Sequence, residues 1–189
     1  MSRQTVRLFD EYLAAAARAG DREAFGRLAE RWQPKLVAHA WRLMGDAEAA
    51  RDVVQDAWTD IVRGLGRLDD AALFPAWAYR IVTRRAADAI RKRVRGRRLD
   101  AAHAAIAAVT PQVDDAAARI EAAADSGPLA KAIASLPPDQ RAAVALFYLE
   151  EFSVAEIAAA TGVPAGTVKT RLMHARTKLR AALKGEDHG

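Results

Sequence analysis

The 189-residue chain has no cysteine, which excludes disulfides and thiolate metal sites. Its four histidines (His39, His103, His174 and His188) show no ligand spacing, and neither a Gly-rich phosphate loop nor a nucleophile motif occurs. An enzymatic function has little support on this ground, and no cofactor or metal is expected. Aromatic residues make up only 6%. No alternating Val/Ile/Thr run or Asn-Gly turn marks a β-hairpin. Long apolar runs are missing too. The opening stretch MSRQTVRLFDEYL has no apolar h-region, and no segment approaches membrane-spanning length. These absences point to an all-α protein without membrane insertion, expected in the cytoplasm.

Alanine and basic residues are plentiful. The hydrophobic fraction of 51% is rich in alanine, which suits closely packed helices. The net charge of +5 fits a polyanionic partner, and its distribution is more telling. Between Arg80 and Arg98 nine Arg and Lys face a single acid, Asp88. From Asp100 to Gly127 the sign reverses, with Asp100, Asp114, Asp115, Glu121 and Asp125 against Arg119. The chain turns basic again from Val163 to Lys184. Two basic blocks around an acidic spacer suggest two contacts with one long anion.

Turn and cap residues divide the chain. A helix is expected over Thr5 to Arg18, ending at Gly20. Asp21 caps the next, REAFGRLAERWQPKLVAHAWRLM, with Pro34 marking a kink or break. Gly45 stops it, and Asp46 caps AEAARDVVQDAWTDIVRGLGRL. Pro75 suits the first turn of a fourth helix, AWAYRIVTRRAADAIRKRVR. Residues 99–128 read as an acidic linker with a transient helix near Ala116 to Ala124. The expected organisation is two small helical domains, 1–98 and 129–185, joined by that linker.

The second domain carries the sharper signal. Ser153 and Glu156 form an S-x-x-E capping box, Gly162 suits the left-handed residue that ends the helix, and a further helix begins around Pro164 to Thr167. On it Val168, Leu172, Ala175 and Leu179 fall on one apolar stripe. Lys169, Thr170, Met173 and His174 point the other way, flanked by Arg171, Arg176 and Lys178. From Thr161 to Arg180 there are five permanent cations and no carboxylate. Central side chains reaching base edges, with cations beside them for phosphates, are what a groove-reading helix-turn-helix needs. A solvated basic face is the bland alternative, and the capping box, glycine turn and missing carboxylates together weigh against it.

In the first domain RDVVQDAWTDIVRGL sets an apolar arc (Val53, Val54, Ala57, Trp58, Ile61) against a polar face (Asp52, Gln55, Asp56, Thr59, Arg63). By itself this is an ordinary amphipathic helix; functionally it offers an acidic, amide-bearing docking surface. In the fourth helix Trp77, Arg80, Arg84, Asp88 and Arg91 line one side, opposite Tyr79, Val82, Ala86, Ala89 and Ile90. Cations beside an aromatic ring suit melted nucleic acid, although a core role for Trp77 is at least as good a reading.

GDREAFGRLAERW, DAEAARDVVQDAW, FPAWAYRIVTRRAADAIRKR and LPPDQRAAVALFYLEEFSVAEIAAATGVPAGTVKTRL, in that order, resemble a bacterial RNA polymerase sigma factor of the extracytoplasmic-function (ECF) group. The resemblance implies that Asp52, Gln55 and Asp56 dock on the clamp helices of core RNA polymerase. It implies that the loop Gly66 to Phe74 and the helix of Trp77, Arg80, Arg84, Asp88 and Arg91 open and read the minus-ten promoter element. It implies that Lys169, Thr170, Met173 and His174 read the minus-thirty-five element, with Thr167, Arg171 and Arg176 on phosphates. An anti-sigma factor is the implied inhibitor. Arg84 departs from the asparagine many relatives carry, and Val62 from an aromatic residue. The alternative is a stand-alone helix-turn-helix regulator with a LuxR-like DNA-binding domain, since EIAAATGVPAGTVKTRL also resembles that motif.

Overall fold

A computed structural model describes residues 3–104 and 127–186, and among these there are helices and no strands. The N-terminal half holds α1 (Arg3–Arg18), α2 (Arg22–Met44), α3 (Ala47–Leu65), a 3-10 turn (Ala71–Leu73) and α4 (Phe74–Ala104). The C-terminal half holds α5 (Pro128–Ala134), α6 (Pro138–Tyr148), α7 (Val154–Thr161) and α8 (Ala165–Glu186).

Local chemistry sets most of these ends. Asp21 accepts from the Glu23 and Ala24 amides, and Asp46 from those of Glu48 and Ala49, satisfying donors that have no intrahelical partner. Gly45 ends α2 in the left-handed region at φ 76°, where a side chain would be strained. Pro34 does not break α2, which runs unbroken from Arg22 to Met44. Pro34 and Glu30, whose carbonyl loses its partner amide, are both exposed, so the missing bond lies at the surface rather than in the core. Helix α4 also outruns expectation, continuing to Ala104 and so six residues into the segment read as linker. The helix expected near Ala116 to Ala124 lies outside the described residues.

The two halves share one core. Leu13, Leu28, Trp32, Leu36, Val54, Ile61, Phe74, Tyr79 and Val82 join Leu136, Leu146, Phe152, Ile157, Val168 and Leu172 in a continuous buried cluster. Burying each such aliphatic side chain stabilises the fold by about 1.5–3 kcal/mol. Helix α7 packs along α4, and α6 packs against α2. The alanine-rich sequence of α7, VAEIAAAT, permits a close helix approach. Tyr79 is the hinge of the joint: its ring meets Trp32, His39 and Phe152 edge-on, with centroids 5.7, 4.9 and 5.5 Å away. Polar staples flank it. Arg141 is fully buried and donates from Nε to the Arg42 carbonyl at 3.0 Å and from Nη1 to the Ala134 carbonyl at 2.9 Å. Lys35 pairs with Glu150 at 3.0 Å, and Arg7 with Glu156 at 3.0 Å.

Candidate nucleic-acid and polymerase interfaces

Helix α8 follows α7 through a tight turn built as the sequence implies. The Ser153 hydroxyl accepts from the Glu156 amide at 3.2 Å while the Glu156 carboxylate accepts from the Ser153 amide at 2.7 Å. Those bonds and the Arg7 guanidinium hold the Glu156 carboxyl below its ordinary pKa, against the opposing effect of burial. Gly162 closes α7 at φ 70°. Val168, Leu172 and Ala175 are then buried and Leu179 half-buried, which fixes the rotation of α8. The same rotation leaves Thr167, Lys169, Thr170, Met173, His174 and Arg176 exposed.

Three side chains here are engaged within the fold, Thr170 through its hydroxyl, which donates to the Gly166 carbonyl at 3.1 Å. Arg171 is half-buried and pairs with Asp139 at the start of α6, 2.6 Å away. Arg176 donates from Nε to the Leu172 carbonyl at 3.3 Å, which aligns its stem along the helix.

On α4 the basic block splits into two jobs. Arg85 pairs with Asp60 at 2.7 Å and Arg93 with Asp46 at 3.3 Å, binding α4 to the α3 side of the molecule. Arg91 is engaged with Asp88 one turn back. Arg80 and Arg84 are exposed and enter no ion pair among the described residues. Trp77 is half-buried, its six-membered ring wedged against Gly64 of α3 and its neighbour Phe74 at 6.2 Å between centroids. Trp77 thus packs one side of its ring at the foot of the basic face and leaves the rest accessible, with Arg80, Arg84, Asp88 and Arg91 exposed beyond it.

Ahead of α4, the loop 66–70 and the 3-10 turn sit beside that face. Asp70 caps the turn by accepting from the Ala72 amide at 2.9 Å. Ala71 is buried, and Leu73 projects outward, 54% exposed.

The third surface lies on α3. Asp52, Gln55 and Asp56 are exposed together, and neither aspartate joins an ion pair among the described residues. Farther along the same helix an apolar groove opens, lined by Trp58 and Val62 of α3 and by Phe25 and Ala29 of α2. The pattern of α3 alone does not reveal this groove, because half of its wall comes from α2. Its one visible signal is Val62, an aliphatic residue on the polar side of the helix. Among the described residues no three His, Asp or Glu side chains converge as metal ligands would.

These surfaces fall inside two recognised regions. Residues 28–96 match the family described as Sigma-70 region 2, and residues 126–179 match Sigma-70, region 4. The ECF RNA polymerase sigma factor SigW of Bacillus subtilis is 30% identical over 174 residues, covering 87% of this chain and 91% of that protein. The ECF RNA polymerase sigma factor SigM of Mycobacterium tuberculosis H37Rv is 35% identical over 176 residues, covering 92% and 84%. Among solved structures, CnrH in complex with the cytosolic domain of CnrY superposes with a TM-score of 0.65 at 28% identity, over 94% of this chain and 98% of that one. RpoE of Bartonella quintana, in complex with the anti-sigma factor NepR, gives 0.62 at 26%, over 85% and 96%. With both regions matched in order and full-length relatives at this identity, the chain belongs to the ECF group of bacterial RNA polymerase sigma factors.

Proposed function

We propose that this sigma factor divides promoter recognition among the three surfaces just described. Asp52, Gln55 and Asp56 dock on the clamp helices of the polymerase largest subunit. Trp77, Arg80 and Arg84, with Asp88, Arg91 and the loop 66–74, engage the opened minus-ten element. Lys169, Thr170, Met173 and His174 read the minus-thirty-five element, and Thr167, Arg171 and Arg176 hold its phosphates. The observation that carries this reading is the exposure of two separate basic faces, one on α4 and one on α8, each set by a buried apolar stripe behind it. The chain acts by binding, in the cytoplasm, and polymerase supplies the chemistry.

Distance requires a change of shape. The two elements lie about 25 base pairs apart, roughly 85 Å at 3.4 Å per pair. A folded chain of this length is only about 40 Å across by the usual size scaling. The halves must therefore part at the α4–α7 and α2–α6 contacts when both elements are engaged. Tethering two weak contacts on one polymerase then raises the effective concentration of each.

An anti-sigma factor is the proposed inhibitor, supported by the likeness to RpoE in its complex with NepR. The stand-alone regulator is not favoured, since it leaves the region 2 match at residues 28–96 without a role. The test is retention of core RNA polymerase on the purified protein, followed by run-off transcription from a randomised promoter library. Transcripts that appear only with this protein and share two sequence elements are expected. Duplex binding without polymerase association would overturn the reading.

A further inference from the structure

Helix α1 lies outside both matched regions, which begin at residues 28 and 126. Its C-terminal residue is nevertheless bonded to the loop in front of α4. The Arg18 guanidinium donates through Nη1 to the Leu68 carbonyl at 2.6 Å and to the Asp69 carbonyl at 2.8 Å. We propose that Arg18 is a positioning residue for minus-ten recognition, holding the loop 66–74 in its DNA-reading shape from a helix that itself touches no promoter. The inference rests on the proposed role of that loop.

The geometry suits a strut. A loop that must read unstacked bases gains from being shaped before it meets them, because ordering it on contact would cost affinity. Little regular structure does this work between Gly66 and Phe74. The Arg67 and Leu68 amides bond back to Gly64 and Leu65, and the Asp70 side chain caps a single 3-10 turn. Between those two fixed points lie the Leu68 and Asp69 carbonyls. Arg18 grips both, and a guanidinium makes charge-assisted bonds that a neutral donor does not match.

The strut also has a firm base. Leu13 and Ala14 bury one side of α1 in the core. Asp10, itself buried, pairs with Arg31 of α2 at 2.7 Å. The Arg31 guanidinium also lies over the Phe9 ring, 5.0 Å from its centroid. Helix α1 is thus fixed to α2 along its length and packs against the 3-10 turn at its end. Immediately beyond the gripped carbonyls, Ala71 is buried and Leu73 faces solvent. A shift at Leu68 and Asp69 is transmitted over those few residues to the exposed tip.

The proposal is tested with reconstituted holoenzyme on a promoter recovered from the library selection, carrying 2-aminopurine in the minus-ten element to report unstacking. Arg18→Ala is expected to slow opening about tenfold, the scale at which lost positioning bonds act on rate. It should also relax base preference in the minus-ten element. Polymerase affinity and binding to a minus-thirty-five duplex stay unchanged. Arg18→Lys, which keeps the charge but carries its donors on a flexible stem with no planar group to direct them, is expected to fall between wild type and Arg18→Ala. The control is Leu73→Ala. If Leu73→Ala alters opening and Arg18→Ala does not, the positioning role of Arg18 is overturned while the loop assignment stands. If Leu73→Ala has no effect either, the loop assignment fails and takes the proposal with it. Equal losses of polymerase affinity and thermal stability for Arg18→Ala and Arg18→Lys would overturn it in favour of a purely structural bond.

Discussion

Arg141 of α6 caps the C-terminal turn of α2: its buried guanidinium donates to the Arg42 carbonyl, 99 residues away in the chain. Carbonyls in the last turn of a helix have no intrahelical partner, and this one is covered by another helix instead of by water. The same guanidinium reaches the Ala134 carbonyl at the end of α5. Arg141→Met fills the space but leaves the Ala134 carbonyl buried, and the Arg42 carbonyl partly buried, without their donor. It is expected to destabilise the protein by about 2–4 kcal/mol, read as a lower urea midpoint. Arg141→Lys should recover only part of that, since an ammonium cannot span both carbonyls with a planar fork.

His39 supplies a pH dependence. The Thr83 hydroxyl gives its hydrogen to the Tyr79 carbonyl at 2.8 Å, so it accepts from His39 Nε2, 2.9 Å away. That fixes the neutral tautomer with the proton on Nε2. Burial, with the Arg42 charge adding to it, pushes the imidazole down to about 3 from 6.5. The unfolded chain then takes up a proton near pH 6.5 that the folded chain refuses until about pH 3. Between those values the unfolded state binds more protons, so acid favours it. Stability is expected to be level above about pH 7.5 and lower by about 2 kcal/mol at pH 5, at 1.36 kcal/mol per unit. Urea titrations at the two pH values measure this, and His39→Gln should remove most of the difference. An equal acid loss in His39→Gln would assign the effect to other groups.

The residues that were legible in the sequence act over one or two turns of chain. Asp21, Asp46 and the Ser153–Glu156 box cap helices from two or three residues away, and Gly45 and Gly162 take the left-handed conformation where the apolar pattern stops. The stripe of Val168, Leu172 and Ala175 set the exposed face of α8 by period alone. What the sequence did not show depends on partners far along the chain. Arg85 and Arg93 counted toward the basic block between Arg80 and Arg98, yet they bind acids 25 and 47 residues away. Trp77 shared a stripe with Arg80 and Arg84, but its position depends on the absence of a side chain at Gly64. The packing of α7 on α4 was equally hidden, because the apolar side of α4 reads the same whichever helix covers it.

Gly64 illustrates that dependence. A β-carbon there would stand 2.8 Å from Trp77 Cζ2, inside van der Waals contact. In a helix interior Gly→Ala normally stabilises by about 1 kcal/mol through propensity. Here the indole must move first, and overpacking costs about 1–3 kcal/mol. Gly64→Ala is thus expected to be neutral or destabilising despite its favourable propensity. Gly64→Ala combined with Trp77→Leu should be less destabilised than the two single changes added together. Denaturation midpoints of the four proteins give the coupling directly, and simple additivity would show that the ring yields freely.

Lys169 and Arg176 separate the two kinds of DNA contact assigned to α8. Lys169 is exposed two turns before Arg176 on the same flank of α8, the two lining one small pocket with Leu172, and it is the one proposed to reach a base edge. Arg176 is tethered along the helix by its bond to the Leu172 carbonyl, and its proposed role is a phosphate contact. Lys169→Ala is expected to cost about 1–3 kcal/mol at one base pair of the minus-thirty-five element and to relax preference there. Arg176→Ala should weaken all sequences alike and make the logarithmic salt dependence shallower by about 0.9 for the phosphate lost. Holoenzyme binding to a set of single-base promoter variants at several salt concentrations resolves both. If Lys169→Ala gives the uniform loss and the shallower slope, Lys169 belongs with the phosphate contacts, and base reading on α8 falls to Thr170, Met173 and His174.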